Sequence, residues 1–111
     1  MNSTDKRAVK IMEIADIIRS KNSGPYELTF DVIFKTRELY ERVCEKNAIN
    51  KENFAKLYGI PVENVMEIVH FHPVGAVKVT IVRPIPSGAF GESDVYGAQQ
   101  HAPLMGMEIE I

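Results

Sequence analysis

Along the first part of the chain apolar residues recur at helical spacing: Ala8, Ile11, Met12, Ala15 and Ile18, with Ile14 and Ile17 widening the stripe. This spacing predicts a helix from Ala8 to Ser20. Ser3, Thr4 and Asp5 offer N-caps, Arg19 and Lys21 supply the cations favoured at a helix C-terminus, and Asn22-Ser23-Gly24-Pro25 reads as a stop signal. The period then changes. Tyr26, Leu28, Phe30, Val32 and Phe34 alternate with Glu27, Thr29, Asp31 and Ile33, the two-residue repeat of a strand with one buried face. Thr36 can cap a helix carrying Leu39, Tyr40, Val43 and Cys44, and Asn50 a shorter one carrying Phe54, Leu57 and Tyr58 before Gly59 and Pro61. Two β-rich runs, Val65 to Phe71 and Ala76 to Arg83, flank His72-Pro73-Val74-Gly75 and predict an antiparallel hairpin. Met107, Ile109 and Ile111 alternate with Glu108 and Glu110, which predicts a fourth strand in the same sheet.

Between Pro84 and Leu104 the pattern lapses. Three prolines, three glycines, Glu92 and Asp94 occur there with no Lys or Arg, and a helical turn near Asp94 to Gln100 is the most regular element expected. A long unpatterned stretch in a small domain is usually a binding loop, lid or interface segment when ordered. The elements together predict an α+β, ferredoxin-like split β-α-β two-layer sandwich, with an extra N-terminal helix and this loop in place of the second crossover helix. Another strand order of the same two layers is the alternative.

Length and composition narrow the function classes. At 111 residues the chain is expected to form one domain over 1–111, and 45% hydrophobic with 25% charged residues is ordinary globular usage. A net charge of −2 gives no electrostatic footprint for nucleic acid or an anionic membrane, and the apolar runs are too short for a bilayer span. The single cysteine cannot make an internal disulfide, and no signal-peptide pattern opens the chain, so a cytoplasmic protein is the expectation.

Candidate chemistry is sparse. Arg19-Ser20-Lys21-Asn22-Ser23-Gly24 gathers cations, hydroxyls and an amide that could hold a carboxylate or phosphate, although basic residues at a helix exit are also expected for structural reasons. Asp31 shares a strand face with Glu27 and Thr29. It is expected to be exposed or paired, and beneath a helix it would need a partner such as Lys78 or Arg83. His70 and His72 have the i, i+2 spacing of some strand-borne metal sites, but no second motif completes a ligand set, so no metal and no cofactor are expected. Cys44 reads as a buried small hydrophobe. Tyr96-Gly97-Ala98-Gln99-Gln100-His101-Ala102-Pro103 sets directional hydrogen-bonding groups beside small residues, which suits close approach of a ligand or another chain.

Four stretches together carry a resemblance: 17–25 (IIRSKNSGP), 28–34 (LTFDVIF), 83–88 (RPIPSG) and 94–104 (DVYGAQQHAPL). They resemble the bacterial family called domain of unknown function 4387, over nearly the whole chain. More distantly, the N-terminal segment, the strand after it and the Met107-Glu108-Ile109 ending are similar to the ferredoxin-fold domain fused behind AtuA-like proteins of acyclic terpene utilisation. The resemblance implies a small partner of a separate AtuA-like large protein in catabolism of organic acids and their thioesters. It marks Arg19, Lys21, Asn22, Asp31, Tyr96, Gln99, Gln100 and His101 as ligand- or partner-binding candidates. Two functions follow as expectations: an accessory subunit whose loop docks on the larger chain, and a stand-alone lyase or hydratase using His101 with Asp31 or Asp94. A homo-oligomer is compatible with either.

Overall fold

A computed structural model describes residues 8–83 and 101–111. Its elements in chain order are β1 (Ala8–Lys10), α1 (Ile11–Ile14), β2 (Ala15–Gly24), β3 (Glu27–Phe34), α2 (Arg37–Glu45), α3 (Lys51–Tyr58), β4 (Val65–Phe71), β5 (Ala76–Val82), α4 (Ala102–Met105) and β6 (Glu108–Glu110). The class is α+β, with two antiparallel sheets. One has four strands in the order β2-β3-β5-β4; the other pairs β1 with β6.

The middle of the chain follows its patterning. Leu28, Phe30, Val32 and Phe34 of β3 are buried, as the alternation requires. Thr36 caps α2 by accepting from the Leu39 N–H at 3.1 Å. Asn50 and Asn53 cap α3 reciprocally, and Gly59 closes that helix in the left-handed region at φ 65°. The β4–β5 hairpin turns through a 3-10 turn, His72–Val74, and Gly75 at φ 67°, a conformation that L side chains rarely adopt. Because β5 pairs with both β3 and β4, those two strands run parallel with β5 between them, and α2 and α3 form the crossover.

The two ends of the chain differ from expectation. The stretch from Ala8 to Ser20 is not one helix: only Ile11–Ile14 is helical, and Ala15–Gly24 is the sheet's longest strand. Two adjacent β-branched isoleucines, Ile17 and Ile18, fit a pleated surface better than a helix, and β2 satisfies its backbone groups along nearly all of β3. The Gly24-Pro25 signal is therefore a tight hairpin turn, since Gly24 pairs with Glu27 across Pro25 and Tyr26. With β2 on the edge beside β3, the C-terminal strand has no place in the large sheet. It pairs instead with β1, Ala8 opposite Glu110 and Lys10 opposite Glu108, while Met107, Ile109 and Ile111 face the core. The helical turn expected near Asp94 to Gln100 lies outside the described residues.

The core lies between one face of the large sheet and α2 and α3. Phe30 of β3 is fully buried, its ring 5.1 Å from that of Phe54 and 5.0 Å from that of Tyr58. Val77, Val79 and Ile81 of β5 extend this layer, and Ile11 of α1, Leu104 of α4 and Ile109 of β6 close it.

Candidate functional site

Strand alternation sorts the residues of the large sheet onto two faces. On the face away from the helices the register aligns three rows. Ile17, Ile33, Ala76 and Phe71 form an apolar row; Arg19, Asp31, Lys78 and Val69 form a charged one; Lys21, Thr29, Thr80 and Glu67 form a polar one. Among the described residues no element covers this face. It holds a trough of about 590 Å³, lined at its centre by Arg19, Asp31 and Lys78 and at one end by Phe71 and Val74.

Asp31 is paired, but neither with Lys78 nor with Arg83. Its Oδ2 accepts from Arg19 Nε at 3.2 Å, directly across the β2–β3 pair. The expectation of an exposed or paired Asp31 is met by Arg19, and the condition that would have required Lys78 or Arg83, a covering helix, does not arise among the described residues. Lys78 is the neighbour opposite Asp31 on β5, and Arg83 belongs to the other face.

Ser20 and Asn22 point from β2 to the covered face, and two residues distant in sequence meet them there. Arg83, 4% exposed, donates from its guanidinium to Asn22 Oδ1, and its backbone N–H donates to the Tyr26 carbonyl at 2.8 Å. His101, half-buried, has Nδ1 3.5 Å from Ser20 Oγ. A buried arginine is tolerated because its donors are satisfied.

The sequence-predicted candidates therefore divide. Arg19, Lys21 and Asp31 share the open face; Asn22 and His101 share the opposite one; Tyr96, Gln99 and Gln100 lie outside the described residues. Asp31 and His101, proposed as an acid–base pair, sit on opposite sides of the sheet, and Asp94 is also outside the described residues. Ser20 was read only within the Arg19-to-Gly24 segment and Lys78 only as a possible partner of Asp31, and the β4 residues Glu67, Val69 and Phe71 were not singled out. The β4 trio was not legible, because plain alternation sets Val65 on the face of Val69 and Phe71, and only the register shift between Val65 and Glu67 moves Val65 to the covered side with Ile68.

The two histidines of the His-x-His pair are separated by the chain's turn. His70 ends a covered-face row beside Val77, whereas His72 starts the 3-10 turn and places Nδ1 2.6 Å from the Tyr40 hydroxyl. Burial, with a contact to Cys44, pushes the Tyr40 phenol up to about 12. Cys44 is half-buried and packs against the core. Burial also raises the Tyr58 phenol above its ordinary value. Among the described residues no three histidine, cysteine or carboxylate side chains gather as a metal site would require.

Comparison with known proteins places the chain. The model of the family described as domain of unknown function 4387 matches residues 11–108, and the chain belongs to that family. No curated protein and no solved structure matches it.

Proposed function

We propose that this member of the domain of unknown function 4387 family is a small cytoplasmic subunit that acts with a separate, larger AtuA-like protein in bacterial breakdown of organic acids or their thioesters. In this reading its fold is a ferredoxin-like variant in which β2 takes the sheet position that the C-terminal strand would otherwise fill. The docking segment is the stretch from Pro84 to Leu104.

One observation carries the reading. Arg83 and His101, which flank residues 84–100, are held on Asn22 and Ser20, two positions apart on one edge strand and so about 7 Å from each other along it. The two flanking side chains thus meet the same edge strand, which supports a common anchor for the segment's two ends. The segment's small residues permit close backbone approach, and Tyr96, Gln99, Gln100 and His101 supply directional bonds once water is excluded. The stand-alone lyase loses support in its Asp31 form, because His101 and Asp31 face opposite ways, while Asp94 lies outside the described residues.

Replacing Gln100 and His101 together by Ala should weaken binding to the large protein by a few kcal/mol if they are central contacts, roughly a hundredfold or more, with little change in the thermal midpoint. Co-purification and titration of the two chains check this. Wild-type affinity in the double variant, or turnover by the small chain alone that His101→Ala abolishes, overturns the subunit reading.

A further inference from the structure

The open face of the large sheet is both apolar and charged in an ordered way. Ile17, Val69, Phe71 and Val74 are 42%, 38%, 52% and 53% exposed, a concentration of large apolar groups on one face that marks an interaction surface. Its charges are of mixed sign: Arg19, Lys21 and Lys78 stand among Asp31 and Glu67. Of these, Asp31 is joined to Arg19, while Lys21, Lys78 and Glu67 form no ion pair among the described residues. Such a pattern does not suit a polyanion, which prefers one sign throughout.

We propose that this face binds a second copy of the chain, the two sheets packing face to face about a two-fold axis that runs along the seam between β3 and β5. The rows decide the axis. A two-fold lying across the strands would set Asp31 over the partner's Asp31 and Lys78 over the partner's Lys78. A two-fold along the seam instead exchanges β3 with β5 and β2 with β4, and lays each row on itself in reverse. Asp31 then faces the partner's Lys78, and Lys21 faces the partner's Glu67. In the apolar row Ile17 faces the partner's Phe71, and Ile33 the partner's Ala76. Arg19 faces the partner's Val69 and keeps its charge paired with Asp31 of its own chain, while Asp31, Lys78, Lys21 and Glu67 each face an opposite charge, which is the self-complementarity an isologous interface needs. Packed sheets cross at about 30°, which shifts the corners most and leaves the central pairs Asp31–Lys78 and Ile33–Ala76 opposed.

Size sets the strength. Four strands about 4.8 Å apart and seven residues at about 3.4 Å give a footprint of roughly 19 by 24 Å per copy. With the relief of its side chains, this falls at the small end of specific interfaces, so association in the micromolar range is expected. The dimer involves a different face from the His101 edge and does not require the larger chain.

Charge reversal tests it on the purified chain. In sedimentation over a dilution series, the wild type should pass from monomer to dimer, and Asp31→Lys and Lys78→Asp should each associate at least about tenfold more weakly. Mixed in equal amounts, the two variants should recover association to within about threefold of wild type, because each substituted site then faces an opposite charge. A wild type that stays monomeric throughout, or a mixture no tighter than its components when both melt cooperatively, overturns the proposal. Should either charge variant fail to fold, Phe71→Glu on the edge strand decides: a weakened dimer supports this face, and an unchanged one rejects it.

Discussion

The two faces of one four-stranded sheet are built from the same strands, offset by a single residue. On the covered side the rows read Ile18-Val32-Val77-His70, Ser20-Phe30-Val79-Ile68 and Asn22-Leu28-Ile81-Val65, and all the β3 and β5 members are buried. On the open side the middle row is Arg19-Asp31-Lys78-Val69, and the apolar groups stand partly in water. The covered face gains its stability from apolar burial against α2 and α3. The open face contributes little to folding and holds charge and apolar area in a repeating order that a partner can read. A one-residue slip of β2 would exchange Arg19 with Ser20 and bury the guanidinium, so the register that protects the core also sets the recognition pattern.

The comparison breaks most sharply at two phenylalanines. Phe30→Ala empties a fully buried position packed on Phe54 and Tyr58 and should cost about 3–5 kcal/mol. Phe71→Ala, half-exposed on the open face, should change the stability of the dilute chain by less than about 1 kcal/mol. Denaturant unfolding of both variants checks the contrast; equal losses would mean that the open face is part of the folding core.

A second test uses pH on the covered side. Burial raises the Tyr40 phenol to about 12 from an ordinary value of 10.0, so the folded state holds that proton more tightly than the unfolded one. Its contribution is therefore fully present below pH 10 and lost as pH rises towards about 12. Tyr40→Phe should flatten the alkaline loss over that window in a stability-versus-pH series, leaving the part due to Tyr58, whose phenol is raised in the same direction. An unchanged alkaline profile would show that Tyr40 ionises as freely folded as unfolded.

What could be read from the residues alone follows from how local each signal is. The Leu28-to-Phe34 alternation, the Thr36 and Asn50 caps and the Gly75 turn are fixed by neighbours within a few positions, and all were legible. The N-terminal stretch misled because Ile11 and Ile14, which are helical, continue at helical spacing into Ala15 and Ile18 of β2, and only pairing with β3 marks where the helix stops. The β1–β6 pair joins opposite ends of the chain and has no local signal at all. That error carried into the site: in a helix-exit loop Arg19, Lys21 and Asn22 would cluster, whereas strand alternation sends Asn22 to the other side, towards Arg83. The Asp31 pairing was anticipated in kind and not in partner, since Arg19 becomes its cross-strand neighbour only once β2 is a strand.

The smallest effect belongs to that pair. Asp31 and Arg19 form an ion pair at 3.2 Å, but the Arg19 side chain is 62% exposed, and surface pairs of this kind contribute at most about 1 kcal/mol after screening and side-chain ordering. Asp31→Asn keeps the shape and a hydrogen-bond acceptor, so the isolated chain should lose less than about 1 kcal/mol, and raised salt should shrink the difference further. Its consequence should appear in association instead. An amide opposite the partner's Lys78 removes a complementary charge twice per two-fold dimer, so the self-association midpoint should move to higher concentration while the melting temperature stays nearly fixed. Measured together, the two quantities separate the faces: a variant that melts early without altering association would place Asp31 with the core, and one that does the reverse places it with recognition.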